Sequence, residues 1–170
     1  MWLFIEQPSG MRRPSKSEGF LFSKTDIDAA TIKAYQETQY RVHSDSPFTL
    51  QIGVVNDALL NAHKLYRVEC SAFLTACNPY SQIASASDNH VRQHQLANEL
   101  ARRGLRYFPG MGQHPSNQWP GEESFLVLGL NLEAAKKLGE QFGQNAIVWC
   151  GATGLAELIL LRWIKAWSSH

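Results

Sequence analysis

The 170-residue chain has few cysteines. Cys70, Cys77 and Cys150 form an odd, scattered set with no Cys-x-x-Cys pair, which argues against a secreted disulfide scaffold and a zinc ribbon and points to a reducing, cytoplasmic setting. It also lacks charge of one sign. Sixteen Lys and Arg face fifteen Asp and Glu, for a net charge of +1, and charged residues make up only 18% of the chain. Such a balance excludes the one-signed surface of a dedicated nucleic-acid binder. Long apolar runs are missing too. Trp2 to Ile5 stops at Glu6, short of the roughly 7 to 15 residues of a signal-peptide core, and no run approaches the about 18 residues needed to span a bilayer. Near the end, Leu158 to Leu161, Trp163, Ile164 and Trp167 are interrupted by Arg162 and Lys165. Neither export nor membrane insertion is therefore expected. The G-x-S-x-G elbow, the G-x-x-x-x-G-K-[ST] phosphate loop, H-E-x-x-H and the dinucleotide fingerprint are all absent, so the enzymes most easily read from motifs drop out.

What is present is the material of a folded interior, 44% apolar and 11% aromatic, in a length that suits one domain. Residues 1–24 read as a flexible N-terminal arm rich in Pro, Ser, Gly and basic residues, including Arg12, Arg13 and Lys16. Residues 25–170 read as a single globular domain. A short helix is expected from Asp26, then strands over Gln39 to His43 and Phe48 to Ile52. In the second, Phe48, Leu50 and Ile52 alternate with polar residues. Asn56 should cap a helix over about 57 to 65. Cys70 to Ala76 reads as a strand buried on both faces, Ser87 as the cap of a long helix over about 88 to 103, and Leu105 to Phe108 as a short strand. Pro109 to Glu122 reads as a fourteen-residue loop in which Trp119 anchors and Gly110 and Gly112 permit motion. Ser124 to Leu130 is a strand, Asn131 caps a helix through Phe142, and Ala146 to Cys150 is a strand. After Gly151 to Gly154, residues 155–167 fit either a helix or a last strand.

Residues 70–150 thus run strand, helix, strand, strand, helix, strand. That order predicts an α+β fold with a ferredoxin-like split βαβ core, extended by the N-terminal hairpin and its helix. On this topology Asn78, Asn89, Arg92 and Gln144 share one end of the sheet. Ser124, opening a strand taken as parallel to Cys70 to Ala76, falls at the other.

Several polar residues stand where elements begin or end, the places where small α/β domains build pockets. They are Thr75 and Asn78, Asn89 and Arg92, Glu122, Glu123 and Ser124, and Gln144 and Asn145. Arg92 could grip a phosphate or carboxylate through two parallel hydrogen bonds with help from Asn89. Asn78 and Gln144 could orient polar edges, and Glu123 is the acid/base candidate. The same residues also suit scaffold roles: Asn78 before Pro79 as a turn, Asn89 at a helix start, Arg92 and Glu123 as an ion pair, Gln144 as a backbone clip. Cys77 has no neighbouring Lys or Arg to lower its pKa. His90 and His94 lie four apart on the long helix and could reach one metal ion, with His114 or Cys77 as a third ligand, but no carboxylate accompanies them and no metal or other cofactor is expected.

Four ordered blocks carry a resemblance: Phe73-Leu74-Thr75-Ala76-Cys77-Asn78-Pro79, then Asn89-x-x-Arg92, then Trp119-Pro120-x-Glu122-Glu123-Ser124-Phe125-x-Val127, then Phe142-Gly143-Gln144-Asn145-Ala146. Over about residues 38 to 160 the chain resembles a bacterial family, the domain of unknown function 3293. The resemblance implies no activity, substrate or cofactor, and the three histidines stand outside its blocks. The residues leave two function classes. The first is a cytoplasmic protein that binds or processes a small anionic ligand, nucleotide-like or phosphorylated, through Thr75, Asn78, Asn89, Arg92, Ser124 and Gln144. The second is a non-catalytic module docking on protein or RNA, for which Arg102, Arg103 and Arg106 offer a modest basic patch.

Overall fold

The computed structural model describes residues 24–116 and 118–163. Most of the expected arm, with its basic cluster, lies outside the described residues, as do Ile164, Lys165 and Trp167. The described chain forms helix α1 (Ala29–Glu37), strands β1 (Gln39–Val42) and β2 (Phe48–Leu50), helix α2 (Asp57–Tyr66), strand β3 (Ser71–Leu74), helix α3 (Ala86–Arg102), strands β4 (Tyr107–Gln113) and β5 (Glu122–Leu128), helix α4 (Leu132–Gln141), and strands β6 (Ala146–Cys150) and β7 (Ala156–Leu160). Each helix opens on a side chain that accepts from an otherwise unpaired backbone N–H. Asp28 takes Thr31, Asn56 takes Leu59, Ser85 takes Asp88 and Asn131 takes Ala134, at 2.8 to 3.0 Å. Asn56 and Asn131 are the caps that the sequence indicates. The third helix starts two residues earlier than expected, because Ser85 and not Ser87 makes the capping bond.

The fold is α+β, built on one curled sheet of seven strands in the order β2-β1-β4-β5-β3-β6-β7. All neighbouring strands are antiparallel. The four strands of the expected core are the middle of this sheet. Residues 155–160 resolve as strand: Gly151 to Gly154 turn the chain back so that Cys150 pairs with Ala156 and Ala146 with Leu160. The two sheet edges approach each other at one end, where Val55 bridges Leu155 and the Gly53 N–H donates to the Ala156 carbonyl at 2.8 Å.

Two expectations are corrected. The strand opening near Ser124 runs antiparallel to β3, pairing Leu74 with Phe125 and Ser71 with Leu128. Its start therefore lies at the Thr75 end of the sheet, beside the residues from which it was to be separated. In addition, six residues of the expected fourteen-residue loop, Pro109 to Gln113 and Glu122, are strand, with Gly110 paired to Ser124 and Gly112 to Glu122. Proline and glycine hide this strand from a propensity reading, yet each fits locally. The Pro109 carbonyl accepts from His43 N–H at 2.8 Å, so its missing donor faces the side where β1 has already ended. A Cβ on Gly110 would lie 2.4 Å from the Arg41 carbonyl oxygen and 2.8 Å from the Phe73 ring. Gly110 is thus a close-packing residue.

Burial divides along the sheet's two faces. Ala72, Leu74, Val127 and Ile147 pack under α3 and α4 with Leu96, Leu100, Ala135 and Leu138. On the other face Tyr40, Val42, Phe73, Leu126 and Val148 join Leu59 of α2 in one cluster that also includes Leu50 and Ala156, from the two edge strands. Edge strands share a cluster only inside a curl, so this face is the concave one. All four residues of β3 are buried, as expected of a strand covered on both sides. Within the concave core, His63 hydrogen-bonds the buried Ser71 hydroxyl at 2.9 Å. Burial holds its pKa below the usual histidine value.

Two tests follow from this packing. Gly110→Ala should destabilise the protein by about 1–3 kcal/mol through overpacking, whereas Gly112→Ala, whose Cβ would meet nothing closer than 3.8 Å, should be close to neutral in the same denaturant titration. Because His63 binds its proton more weakly folded than unfolded, its contribution is present above the unfolded pKa near ~6.5 and is lost as pH falls towards the folded value. A stability profile measured between neutral and mildly acid pH should slope downward for the wild type and lose that component in His63→Gln.

Candidate functional site

The reversed direction of β5 brings the end of β3 and the starts of β5 and β6 together, and the pocket forms there on the concave face. It encloses a cavity of about 200 Å³ beneath α1. Thr31, Ala34, Tyr35 and Thr38 form its roof, Tyr40, Phe73 and Val148 its apolar floor, and Asn78, Glu122, Ser124 and Gln144 its polar end wall. Three expected ligand-binding residues, Asn78, Ser124 and Gln144, thus line one cavity. Thr75, Asn89, Arg92 and Glu123 do not.

The alternation of β5 separates its two glutamates. Glu122 shares the concave face with Ser124, Leu126 and Leu128, while Glu123 falls on the opposite parity. Only the first enters the pocket; Glu123, the residue expected as the acid/base candidate, is exposed and lies outside the cavity. What Glu123 contributes is its carbonyl, which accepts from the Thr75 hydroxyl. Asn78 Nδ2 donates to Glu122 Oε1 at 2.7 Å and Trp119 Nε1 donates to the same oxygen at 3.2 Å. Oε2 accepts no hydrogen bond among the described residues. Burial raises the Glu122 pKa above the ordinary carboxylate value, and the two donors offset this only in part.

Asn78 is held by a strained segment. Asn78, Tyr80 and Ser81 all have positive φ (45°, 57° and 56°), a conformation that costs a non-glycine residue on the order of 1 kcal/mol or more. Compensating bonds hold it: Tyr80 N–H to the Gly143 carbonyl at 2.7 Å, Ala84 N–H to Asn78 Oδ1 at 2.9 Å, and a reciprocal pair in which Asn89 Oδ1 accepts from Asn78 N–H while Asn89 Nδ2 donates to Asn78 Oδ1. Asn89 therefore acts by positioning Asn78. Ser81 lines the cavity, and its hydroxyl is joined to the Tyr35 hydroxyl and to Asn145 Nδ2.

The anion grip expected of Arg92 is not formed. Its Nε donates to the Ala76 carbonyl at 2.8 Å and its Nη2 to the Phe142 carbonyl, so the guanidinium ties the segment after β3 to the end of α4. Gln144 Nε2 reinforces the tie by donating to the Cys77 and Phe142 carbonyls at 3.1 and 3.3 Å. Gln144 is thus the backbone clip that the scaffold reading allowed, even though it also lines the cavity. Cys77 is buried and its thiol is pushed above its ordinary pKa, which suits packing and not nucleophilic attack. All three cysteines are free. His90 and His94 are exposed neighbours on α3 with ring centroids 6.1 Å apart. His114 instead bonds Glu37 at 2.9 Å, and no group of three metal-ligating side chains occurs among the described residues.

Sequence reasoning missed Gln93, Tyr35 and the choice of Glu122. The buried Gln93 accepts from Ala76 N–H at 3.0 Å, and a glutamine inside an apolar helix stripe was the available signal for it. For Glu122 the signal was parity, because residues 122 and 124 share a strand face. Nothing in the chain marks Tyr35, which reaches the site only through the curl of the sheet.

If Arg92 is a structural clip, Arg92→Ala should lower stability by about 2 kcal/mol through loss of two charge-assisted bonds to carbonyls, and Arg92→Lys should recover little because one ammonium cannot span both oxygens. Glu123→Ala should stay within about 0.5 kcal/mol of wild type. Urea denaturation of the three variants decides it, and equal losses from Arg92→Ala and Glu123→Ala would restore the ion-pair reading.

Residues 74–147 match the family model described as a protein of unknown function (DUF3293), the family that the four sequence blocks resemble. No curated protein and no solved structure matches the chain.

Proposed function

We propose, for a chain whose DUF3293 domain comes with no described activity, that it binds a small molecule in the pocket at the end of the sheet and exchanges a proton with it through Glu122. The observation that carries this reading is the Glu122 carboxyl group. One oxygen is fixed by Asn78 and Trp119, the other is unclaimed, and burial tunes its pKa upward towards the range of a working acid or base. Asn78, Ser124 and Gln144 serve the same end wall. Asn89 and Arg92 support it from behind, and Thr75 ties β3 to β5 beside it.

A small molecule fits better than the alternative of a protein- or RNA-docking module. Helices α1 and α2 lie over the concave face and α3 and α4 over the middle of the other, and among the described residues the outward side of β1 and β2 exposes Arg41 and Thr49, not aromatic rings on which bases could stack. The basic patch is largely engaged, with Arg102 and Arg103 on Glu99 and Arg106 over the Tyr66 ring. The order β4-β5-β3-β6 in the middle of the sheet supports reading that part as a split βαβ unit of ferredoxin-like type. Free, largely buried thiols favour a reducing, cytoplasmic setting. Among the described residues no helix is long and apolar enough to cross a membrane.

Glu122→Gln separates function from scaffold. Because the folded-state pKa of Glu122 is raised, its contribution to stability is full below the unfolded value near ~4.5 and is lost as pH rises through the folded value. The glutamine variant should therefore match the wild type or exceed it in melting temperature at neutral pH, while losing the thermal shift that a metabolite panel gives the wild type. A ligand at about 100 times its Kd stabilises by about 2.7 kcal/mol. A panel hit whose shift survives unchanged in Glu122→Gln would overturn the reading, and so would a hit that leaves the amide resonances of Gly112, Ser124 and Ala146 unmoved.

A further inference from the structure

The charge and the rings of the pocket also select the class of molecule that enters it, an inference that rests on the reading above. Among the described residues that line the cavity, Glu122 is the acidic one and no Lys or Arg is present. The remaining ionisable neighbours leave its charge uncompensated. Tyr40 is buried and its hydroxyl donates to the Tyr35 carbonyl at 2.6 Å, with burial raising its pKa and keeping it neutral. The His114 ring meets Glu37 through Nε2 at 2.9 Å and accepts at Nδ1 from Ser116 N–H at 3.2 Å. The nearest cations are committed elsewhere. Arg92 serves two carbonyls, Arg162 pairs with Asp26 at 2.7 Å and lies over the Tyr80 ring, and Lys33 is an exposed partner of Glu37.

An anion brought into this cavity would place two like charges together in a poorly solvated space, and a neutral molecule would leave a buried carboxylate unpaired. A cation answers both problems. The floor suits its body, since Tyr40 and Phe73 stand edge to face with centroids 5.4 Å apart and present ring surface beside the carboxylate. We infer that the pocket takes a small organic cation, a primary amine or amidine on an apolar body, with the charged nitrogen on the free oxygen of Glu122 and the body against Tyr40 and Phe73. This reverses the charge of the ligand expected from the sequence.

Three probes of matched size and different charge, benzylamine, benzyl alcohol and benzoate, together with inorganic phosphate test the inference, each titrated at millimolar concentration into the full chain and into Glu122→Gln. The readout is the amide shifts of Gly112, Ser124 and Ala146. Benzylamine should bind at least about tenfold more tightly than benzyl alcohol, with benzoate and phosphate weaker still, and Glu122→Gln should erase the preference for the amine while leaving the alcohol unchanged. Binding of benzoate or phosphate as tight as that of benzylamine would overturn the inference, as would a benzylamine affinity indifferent to Glu122→Gln. If alcohol and amine bind the pocket equally well, the cation is excluded and the pocket reading stands. If none of the four moves those amides, both fall.

Discussion

Four hydrogen bonds meet on one buried side chain and its backbone, Asn78. Its N–H goes to Asn89 Oδ1, its Oδ1 accepts from Ala84 N–H and Asn89 Nδ2, and its Nδ2 donates to Glu122. Each partner fixes the amide's orientation, because a backbone N–H can only donate and a carboxylate can only accept. The segment after β3, the entry to α3 and the Glu122 carboxylate are therefore set by a single residue. With φ at 45°, Asn78 occupies a conformation that asparagine tolerates better than most side chains. A residue that adopted the turn but lacked the amide would keep the path of the chain and lose the orientation of Glu122.

Around that joint the chain places costly groups where packing can hold them. Two further left-handed residues, Tyr80 and Ser81, follow Asn78, and Ser81 lines the cavity together with Glu122, whose carboxyl group is raised in pKa. Arg92 and Gln144 offset part of the cost by closing the Ala76, Cys77 and Phe142 carbonyls that the segment exposes. Stability and function are thus divided between neighbouring polar residues. Those with donors pointed at backbone carbonyls hold the wall, and the one with an unclaimed oxygen faces the space.

How much of this the sequence disclosed depends on the kind of signal. Local rules served well: Asn56 and Asn131 cap helices, β3 is buried on both faces, and the hairpin before α2 forms. Strands whose composition defies propensity did not show. β4 carries Pro109, Gly110 and Gly112, and it is a strand because two neighbours pair with it, which no window of sequence contains. The site followed the same division. Asn78, Ser124 and Gln144 were visible at element ends, but which of Glu122 and Glu123 faces the cavity depends on strand parity, which the choice of Glu123 ignored. Placing Ser124 at the far end came from a wrong strand direction. Arginine at a helix start reads equally as an anion grip or a carbonyl clip. Only the position of the Ala76 and Phe142 carbonyls distinguishes the two.

The pocket also divides along the chain in a way that bears on selectivity. Its hydrogen-bonding wall, Asn78, Ser81, Glu122, Ser124 and Gln144, falls inside residues 74–147, the span matched by the family model. Its roof and floor come from outside that span: α1, Tyr40 and Phe73 before it, Val148 and Leu158 after it. Of these outer parts, α1 is fastened to the wall side through Tyr35, whose hydroxyl is joined to Ser81 and Asn145. A carboxylate aimed into a cavity fixes what charge can be met there, whereas the shape of what fits is set by the surfaces opposite. On the proposed reading, chemistry and selectivity would reside in separate segments of this chain, and changes in α1 would alter the size of ligand accepted without disturbing the hydrogen bonds that hold Glu122.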